Sequence, residues 1–294
     1  MSGLVADMTI LEKRKMTDTA WELEFPYIRN AKWSQTLLLS ADHHWDNPLC
    51  DRKLLAKHCR EAGDRNAPHL VFGDLFCVMN GKYDPRRSKR KVRPEHQRDD
   101  YLDAVVGDAV DWYGRHGMPV FVSMGNHEET ILSHMETDIT KRFCKGVGAL
   151  PGTVSGRVVL KFTDGNSKHT MRATIAYHHG YGGGGPVTKG TIQANRRAVY
   201  LPNDDICLFG HVHERWETTI VKDHFNPCTG KSWLQNQVHI CLPTYKEEYL
   251  PKTGWHTNRG APPKPLGGCW LRVSFNHGGR NKSHSLLLET TWAE

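Results

Sequence analysis

Short clusters of aspartate, asparagine and histidine occur at five places in this 294-residue chain. In order they are Asp42-His43-His44, Gly73-Asp74, Gly125-Asn126-His127-Glu128, His178-His179-Gly180 and Gly210-His211-Val212-His213. Carboxylate and imidazole together suit borderline divalent cations such as Mn, Fe and Zn. One such cluster would be weak evidence for a ligand set. Five in order, each after an apolar run, predict a metal centre.

The elements that must position these clusters are short buried strands. Near-continuous apolar runs of this kind are typical of strands covered on both faces, and they occupy residues 36–40, 69–72, 119–124, 173–177 and 206–209. Helical spacing occurs at 51–65 and 97–116. Alternating strands and helices predict a layered α/β domain. Open α/β sheets place functional groups at the carboxyl ends of their strands, where all five clusters lie.

The remaining segments are assigned to the same domain. We interpret residues 1–33 as an N-terminal extension packed on the domain, with a strand near 19–25. Residues 34–294 are expected to form a single domain, in which 214–294 is mostly β. Strands are expected there near 215–221, 238–242, 270–275 and 285–290. An independent small β domain after His213 is the alternative.

The ordered clusters resemble the calcineurin-like metallophosphoesterase superfamily over about residues 34–215. The resemblance implies a four-layer αββα fold, with two packed mixed β-sheets flanked by helices. It also implies two divalent metal ions, with Mn favoured and Fe, Zn, Ni or Co as alternatives. The string 73–76 is similar to SbcD-type repair nucleases. The strings 46–53 and 81–87 are similar to phosphoesterases of tailed phages and bacteria.

Carried over motif by motif, the resemblance implies a role for each residue. It implies seven metal ligands: Asp42, His44 and His213 for the first ion, Asn126, His179 and His211 for the second, and Asp74 as the bridge. With Asp74 and Asn126, His127 completes the catalytic set, as a general acid that faces the scissile phosphate. Histidine suits that role because its pKa lies near neutrality. Glu128 is expected to orient the loop or His127, or to be structural.

Two of the clusters contain adjacent histidines, so the ligand must be chosen between neighbours. Alternate residues of an extended segment share a face, so Asp-x-His spacing favours His44 over His43. The His-Gly pair of the resembled family favours His179 over His178. His43 is then a candidate for substrate contact.

Two further segments could recognise a phosphate ester. Residues 86–93 contain a dense basic run, which either contacts a nucleic-acid backbone or forms a solvated loop. The glycine-rich stretch after His179 can bring backbone N–H groups to a phosphate, or it can be a lid followed by a surface helix. The candidate substrate contacts there are Gly182, Gly183, Lys189, Arg196 and Arg197, with Gln193, Arg196 and Arg197 expected to share a helical face with Lys189.

Composition restricts the compartment. The eight cysteines are scattered without a CxxC pair, which predicts reduced thiols and argues against a cysteine zinc site. No apolar run approaches the roughly 20 residues of a membrane helix, and the first residues show no secretory signal. We therefore expect a cytoplasmic protein, located in the host cytoplasm if phage-encoded. We expect neither a membrane nor an obligate protein partner.

The function predicted from these features is hydrolysis of a phosphodiester. Lys plus Arg exceed Asp plus Glu by 39 to 32, which suits an anionic substrate such as DNA or RNA. A phosphomonoesterase or phosphoprotein phosphatase is the first alternative, although Gly73-Asp74 lacks the Asp-Arg-Gly that usually follows in phosphoprotein phosphatases. The second is a non-catalytic metal-binding scaffold of the same fold.

Overall fold

A computed structural model describes most of the chain. The described residues are 10–28, 32–78, 92–165, 169–183, 185, 187–250, 255–258, 260–276 and 285–294. Of the basic run at 86–93, residues 86–91 lie outside the described residues. The roles considered for this run and for the string 81–87 therefore stay predictions.

Strands and helices alternate through the first two thirds of the chain, and strands dominate the last third. The strands are β1 (Glu12–Thr17), β2 (Ala20–Tyr27), β3 (Ser34–Ser40), β4 (His69–Phe72), β5 (Phe121–Ser123), β6 (Leu150–Pro151), β7 (Ser155–Asp164), β8 (Thr170–His178), β9 (Ile206–Phe209), β10 (Trp216–Asn226), β11 (Lys231–Cys241), β12 (Gly268–Asn276) and β13 (Ser285–Ala293). The helices are α1 (Arg52–Asp64), α2 (Tyr101–His116), α3 (Asn126–Met135), α4 (Ile139–Val147), α5 (Ile192–Tyr200) and α6 (Trp255–Asn258), with a 3₁₀ turn at Pro94–His96.

The strands form two mixed sheets. The order of the seven-stranded sheet is β1-β2-β7-β8-β9-β11-β10, and that of the six-stranded sheet is β13-β12-β3-β4-β5-β6. Strands β3, β4, β5 and β6 run parallel, as do β8, β9 and β11. Strand β2 also pairs in parallel with β7, and the other strand pairs of the two sheets are antiparallel. Because β2 pairs with β7, residues 20–27 belong to the seven-stranded sheet.

The main core lies between the two sheets and follows the alternation of side chains along each strand. In β3, Leu37 and Leu39 face the other sheet, where Leu160 and Ile175 belong to the same buried cluster. Leu38, between them, faces the opposite side and packs in a separate cluster that includes Ala62 of α1. Strands β4 and β5 divide in the same way. A sheet buried on both faces needs apolar residues at successive positions, which explains the runs in the sequence.

Helices complete the outer layers. Helices α1 to α4 cover the six-stranded sheet, and the predicted apolar face of α2 supplies Val105, Ala109 and Trp112 to that contact. Helix α5 lies on the outer side of the seven-stranded sheet, where Arg197 packs over Phe209. The predicted fold class, two packed mixed sheets flanked by helices, is confirmed. Among the described helices, none is both long and apolar enough to cross a membrane.

Candidate metal centre

The five sequence clusters come together where β3, β4, β5, β8 and β9 end. Two groups of three residues have donor atoms that all lie within 4.8 Å of one another. The first group is Asp42, His44 and His213, and the second is Asp74, His179 and His211. These two groups contain six of the seven residues expected as ligands, with Asp74, the expected bridge, in the second group.

The first group contains donors that lack ordinary partners. The Nε2 atom of His213 lies 3.3 Å from Asp42 Oδ1 and 3.2 Å from His44 Nε2. Asp42 is fully buried, and its Oδ1 atom accepts no hydrogen bond from the described residues. Buried polar atoms are normally paired. Two ring nitrogens and a carboxylate oxygen that converge in this way fit a divalent cation.

In the second group, a backbone carbonyl orients the His179 ring. His179 Nδ1 donates to the Phe72 carbonyl at 3.1 Å, which directs Nε2 toward the other donors. That Nε2 atom lies 3.1 Å from Asp74 Oδ2 and 3.9 Å from Asp42 Oδ1. The two groups therefore adjoin through His179 and the two carboxylates, which fits two neighbouring ions.

Asn126, the seventh expected ligand, lies at the edge of the second group. Its Oδ1 atom is 2.8 Å from Nδ1 of His211. Asn126 is the first residue of α3, and its side chain is half-buried. The amide oxygen therefore points toward the donors that would complete the second position.

The backbone at this centre is strained. Five of the expected ligands have positive φ angles between 45° and 70°: Asp42, His44, Asp74, His211 and His213. Non-glycine residues rarely adopt this region. Such strain is concentrated at functional sites, where the surrounding structure maintains it. Their backbones turn where β3, β4 and β9 end, so that side chains from three different strands meet.

Glycines permit this close approach. A Cβ atom added at Gly125 would overlap the Asp74 carboxylate, and one added at Gly73 would overlap the His179 ring. Glycine at these two positions therefore lets neighbouring loops pack directly against the ligand side chains. This explains why glycine accompanies aspartate and asparagine in the second and third clusters.

His127 lies beside the two groups rather than inside them. Its Nδ1 atom contacts the Cys77 carbonyl at 2.5 Å, which directs Nε2 toward Asp74 Oδ2, 3.7 Å away. Burial opposes the charged form, but the Asp74 carboxylate and the Cys77 carbonyl raise the pKa of His127 to about 10. The ring thus presents Nε2 as a proton donor at the centre.

Glu128 holds the loops that carry the ligands. Its Oε2 atom accepts hydrogen bonds from the backbone of Gly125 at 2.8 Å and of Asp74 at 3.2 Å, and Oε1 accepts one from Phe76 at 2.8 Å. Burial and the nearby Asp74 raise the pKa of Glu128 to about 7. Of its two expected roles, these contacts favour orientation of the loop.

His43 occupies a different environment from His44. It is fully buried, with Nδ1 at 2.6 Å from the Tyr113 hydroxyl and Nε2 at 2.8 Å from Ser40 Oγ. Both ring nitrogens are therefore engaged within the core, which contradicts the expected substrate contact. The left-handed backbone at Asp42 and His44, on both sides of His43, turns the chain so that His44 lies at the metal centre and His43 lies beneath it.

His178 and His179 also diverge. His178 is half-buried, and its Nδ1 atom accepts a hydrogen bond from the Gly180 backbone at 2.9 Å. Burial lowers the pKa of His178 to about 4. His179 is the member of the pair that joins the second group of donors.

The residues expected to contact substrate after His179 do not all lie on one exposed face. Gly182, Gly183 and Lys189 are exposed, and α5 begins after Lys189, at Ile192. Arg196 is exposed, whereas Arg197 is buried with its guanidinium 4.0 Å from the centre of the Phe209 ring. The predicted shared basic face is therefore wrong. Consecutive helical residues are about 100° apart, so one arginine faces solvent and the other the sheet.

Sequence reasoning missed the loop after β11. The Thr244 hydroxyl donates to the Asp42 carbonyl at 2.7 Å. Lys246 is buried, with Nζ 2.7 Å from Glu248 Oε1, and Glu248 Oε2 lies 3.5 Å from His213 Nδ1. Burial opposes its charge, but His213 and Lys246 hold the pKa of Glu248 well below its usual range. Only the apolar strand end at 238–242 could have indicated this loop, since no aspartate or histidine follows it.

Comparison with known proteins gives structural similarities of low score. No family model matches the chain, and no curated relative matches it. Vacuolar Protein Sorting 29 from Cryptosporidium parvum is 13% identical, with a TM-score of 0.36 over 89% of this chain and 100% of that one. GAP50, described as the anchor in the inner membrane complex of Plasmodium, is 11% identical, with a TM-score of 0.46 over 90% of this chain and 86% of that one. A predicted phosphoesterase from Streptococcus pneumoniae is 11% identical, with a TM-score of 0.32 over 89% of this chain and 99% of that one. At these values the similarities assign no activity to this chain.

Proposed function

We propose that this protein is a metal-dependent phosphoric ester hydrolase of the calcineurin-like metallophosphoesterase type, acting on phosphodiesters. The observation that carries the proposal is the pair of adjoining carboxylate–imidazole groups with the His127 Nε2 atom beside the Asp74 carboxylate. Two divalent ions at such a centre supply an activated water and neutralise phosphate oxygens. The protein's own residues must then hold the ions, orient the ester and protonate the leaving group.

The contacts support the proposed residue roles. Asp42, His44 and His213 would hold one ion, and His179, His211 and Asn126 the other. Asp74 would bridge them. Fixed through Nδ1 by the Cys77 carbonyl, His127 would donate a proton from Nε2 to the leaving oxygen.

Two finer parts of the proposal concern the metal and the substrate. Manganese is favoured for both positions because oxygen and imidazole donors dominate the two groups. DNA or RNA is the most concrete substrate, supported by the net charge of +7 and the basic run at 86–93. The likeness to SbcD-type nucleases rests on residues 73–76 and stays a prediction.

The test uses a generic diester. Purified protein stripped by a chelator and reloaded with Mn²⁺ should hydrolyse bis-p-nitrophenyl phosphate. Asp74→Asn should abolish turnover, and His127→Ala should reduce it roughly 100-fold while leaving bound metal unchanged. Glu129→Gln, which changes an exposed carboxylate on the same helix, is the matched control. Stoichiometric metal without turnover on any phosphate ester would contradict the proposal and favour the non-catalytic scaffold.

The same assay distinguishes a phosphodiesterase from a phosphomonoesterase. Comparing p-nitrophenyl phosphate with the diester under identical metal loading gives the ratio of kcat/KM for the two bond types. Preference for the monoester would overturn the diester assignment while keeping the hydrolase. Phosphopeptides, cyclic nucleotides, nucleotide-sugar lipids and nucleic acids then define the substrate class.

A further inference from the structure

Cys77 lies at the metal centre, although the proposed chemistry does not use its thiol. The residue is 1% exposed and follows Asp74 by three positions. Its Sγ atom forms a third group with ring nitrogens of His44 and His127, again with all donor atoms within 4.8 Å of one another. Among the described residues, Cys77 is the one cysteine that belongs to such a group.

The thiol is held in place by its neighbours. The Asp46 carboxylate accepts hydrogen bonds from the backbone of Cys77 at 2.5 Å and of Val78 at 2.9 Å. The Asn47 side-chain amide donates to Sγ at 3.2 Å, and the Cys77 carbonyl contacts His127. Backbone and side chain are therefore both fixed, so Sγ faces the two imidazoles without rearrangement.

This third group differs in chemistry from the other two. Each of those contains a carboxylate and two imidazoles, whereas the third offers one sulfur and two nitrogens. Thiolate with imidazole selects thiophilic ions such as Zn²⁺, and oxygen-rich sets suit Mn²⁺. His127 Nε2 lies 3.7 Å from an Asp74 oxygen, which places negative charge beside the third group. The nearby Lys246 ammonium opposes a cation, but Glu248 pairs with it at 2.7 Å.

We propose that His44, Cys77 and His127 form an alternative binding position, sharing His44 with the first group, for a thiophilic divalent cation such as Zn²⁺ or Cd²⁺. On binding, the Cys77 thiol and the Nε2 atom of His127 each release a proton to water, so that the thiolate and the neutral imidazole become ligands. Zinc and cadmium occupy this position, whereas manganese occupies the carboxylate-containing groups. The protein thus distinguishes metals by position.

Occupancy of this position has a consequence for activity, which rests on the proposed function. The ion takes His44 from the first catalytic position and engages the ring of His127, which otherwise donates the proton. Zinc in excess therefore inhibits the manganese-loaded protein. The inhibition depends on Cys77, because His44 and His127 alone offer only two donors.

The direct test is spectroscopic and needs no substrate. Full-length protein carrying Cys228→Ser, which removes the one exposed thiol, serves as the parent. Titration with Co²⁺ or Cd²⁺ should produce thiolate-to-metal charge-transfer absorption in the ultraviolet, with the intensity of a single thiolate. Adding Cys77→Ser should remove this band. Adding Cys144→Ser, at a buried thiol in α4, should leave it intact.

The outcomes are separable. Absence of the band in the parent overturns the proposal, and so does a band that survives Cys77→Ser. If Cys77→Ser does not fold, the parent titration still shows whether the band forms. Loss of the band in His127→Ala then shows whether the band belongs to this position. In the activity assay, Cys77→Ser should raise the zinc concentration for half-inhibition at least about tenfold. If the protein hydrolyses no ester, the absorption experiment still tests the metal position.

Discussion

His43 and His44 are adjacent in sequence, but they belong to two different histidine-rich regions. His43 lies beneath the metal centre and His44 lies within it. Beneath the centre, His43 contacts the hydroxyls of Tyr113 and Ser40, and Ser40 Oγ also lies 2.7 Å from His69 Nε2. Within the centre, His44 Nε2 faces another ring nitrogen at 3.2 Å, next to buried carboxylates. The residue type is the same, but the partners differ.

The difference shows what makes a histidine a ligand candidate. A hydroxyl can donate to one imidazole and accept from another, so a neutral buried network pairs its donors and acceptors without an ion. Two imidazole nitrogens that face each other need a proton or a cation between them. Several histidines of the centre also have strained backbones, whereas His43 and His69 do not have positive φ angles. Both criteria separate the two regions.

The largest expected effect comes from exchanging His44. His44→Gln removes a donor from the first group, so one ion should be lost and diester hydrolysis should fall roughly 1,000-fold. Stability in the presence of chelator should change little. Elemental analysis and chelator-treated thermal unfolding measure the two quantities. Two ions retained per chain would remove His44 from the ligand set.

Exchanging His43 should have the opposite profile. His43→Leu leaves the Tyr113 hydroxyl without its partner and takes one from Ser40, which should cost about 2–3 kcal/mol of unfolding free energy. Bound metal should stay at the wild-type level. Urea unfolding together with metal analysis tests this. Loss of bound metal at unchanged unfolding free energy would show that His43 belongs to the metal centre.

A smaller effect is expected from the carboxylate behind His213. Glu248→Gln weakens the contact with His213 Nδ1, which orients the ring, so metal affinity should fall roughly tenfold. Glu129→Gln, at an exposed position, is the control. Competition with a chromophoric chelator measures the affinity. Equal affinities in both variants would assign Glu248 to pairing with Lys246 alone.

The smallest effect concerns acid stability in the buried region. Burial lowers the pKa of His69 to about 3. Below about pH 6.5 the unfolded chain binds a proton at His69, whereas the folded chain does not until the pH approaches 3. The free energy of unfolding therefore falls as the pH decreases from 6.5 toward 3. Between pH 7.5 and 5.5, His69 should account for about 1 kcal/mol.

His69→Gln isolates that contribution. The metal-free variant should lose less stability than the metal-free wild-type protein over the same pH interval. Urea unfolding at the two pH values provides the comparison. Identical losses would show that His69 is protonated in the folded protein.

Most of the fold could be predicted because its signals are local. The parallel strands at 36–40, 69–72 and 206–209 are apolar on both faces, and α1 and α2 begin within four residues of their predicted starts. Strand β7 was not predicted. Its buried residues alternate with half-buried ones, so it lacks a continuous apolar run.

The site was predictable where type and spacing act together. Asp-x-His and Gly-His-x-His place alternate side chains on one face, and residues from both motifs meet in the first group of donors. Lys246 and Glu248 were not predictable, because no motif marks them and they reach the centre through the pairing of β11 with β9. Arg197 was misplaced because helix phase depends on where α5 begins.

The sequence by itself determined the kinds of donor atom, their order along the chain and their position after buried strands. These depend on residue type and on short-range periodicity, which a single chain displays directly. Tertiary structure alone decided that Arg197 faces the sheet, that Glu248 lies beside His213, and that Cys77 lies beside His44 and His127. These are distances between residues remote in sequence, set by strand order and by backbone strain at the loops.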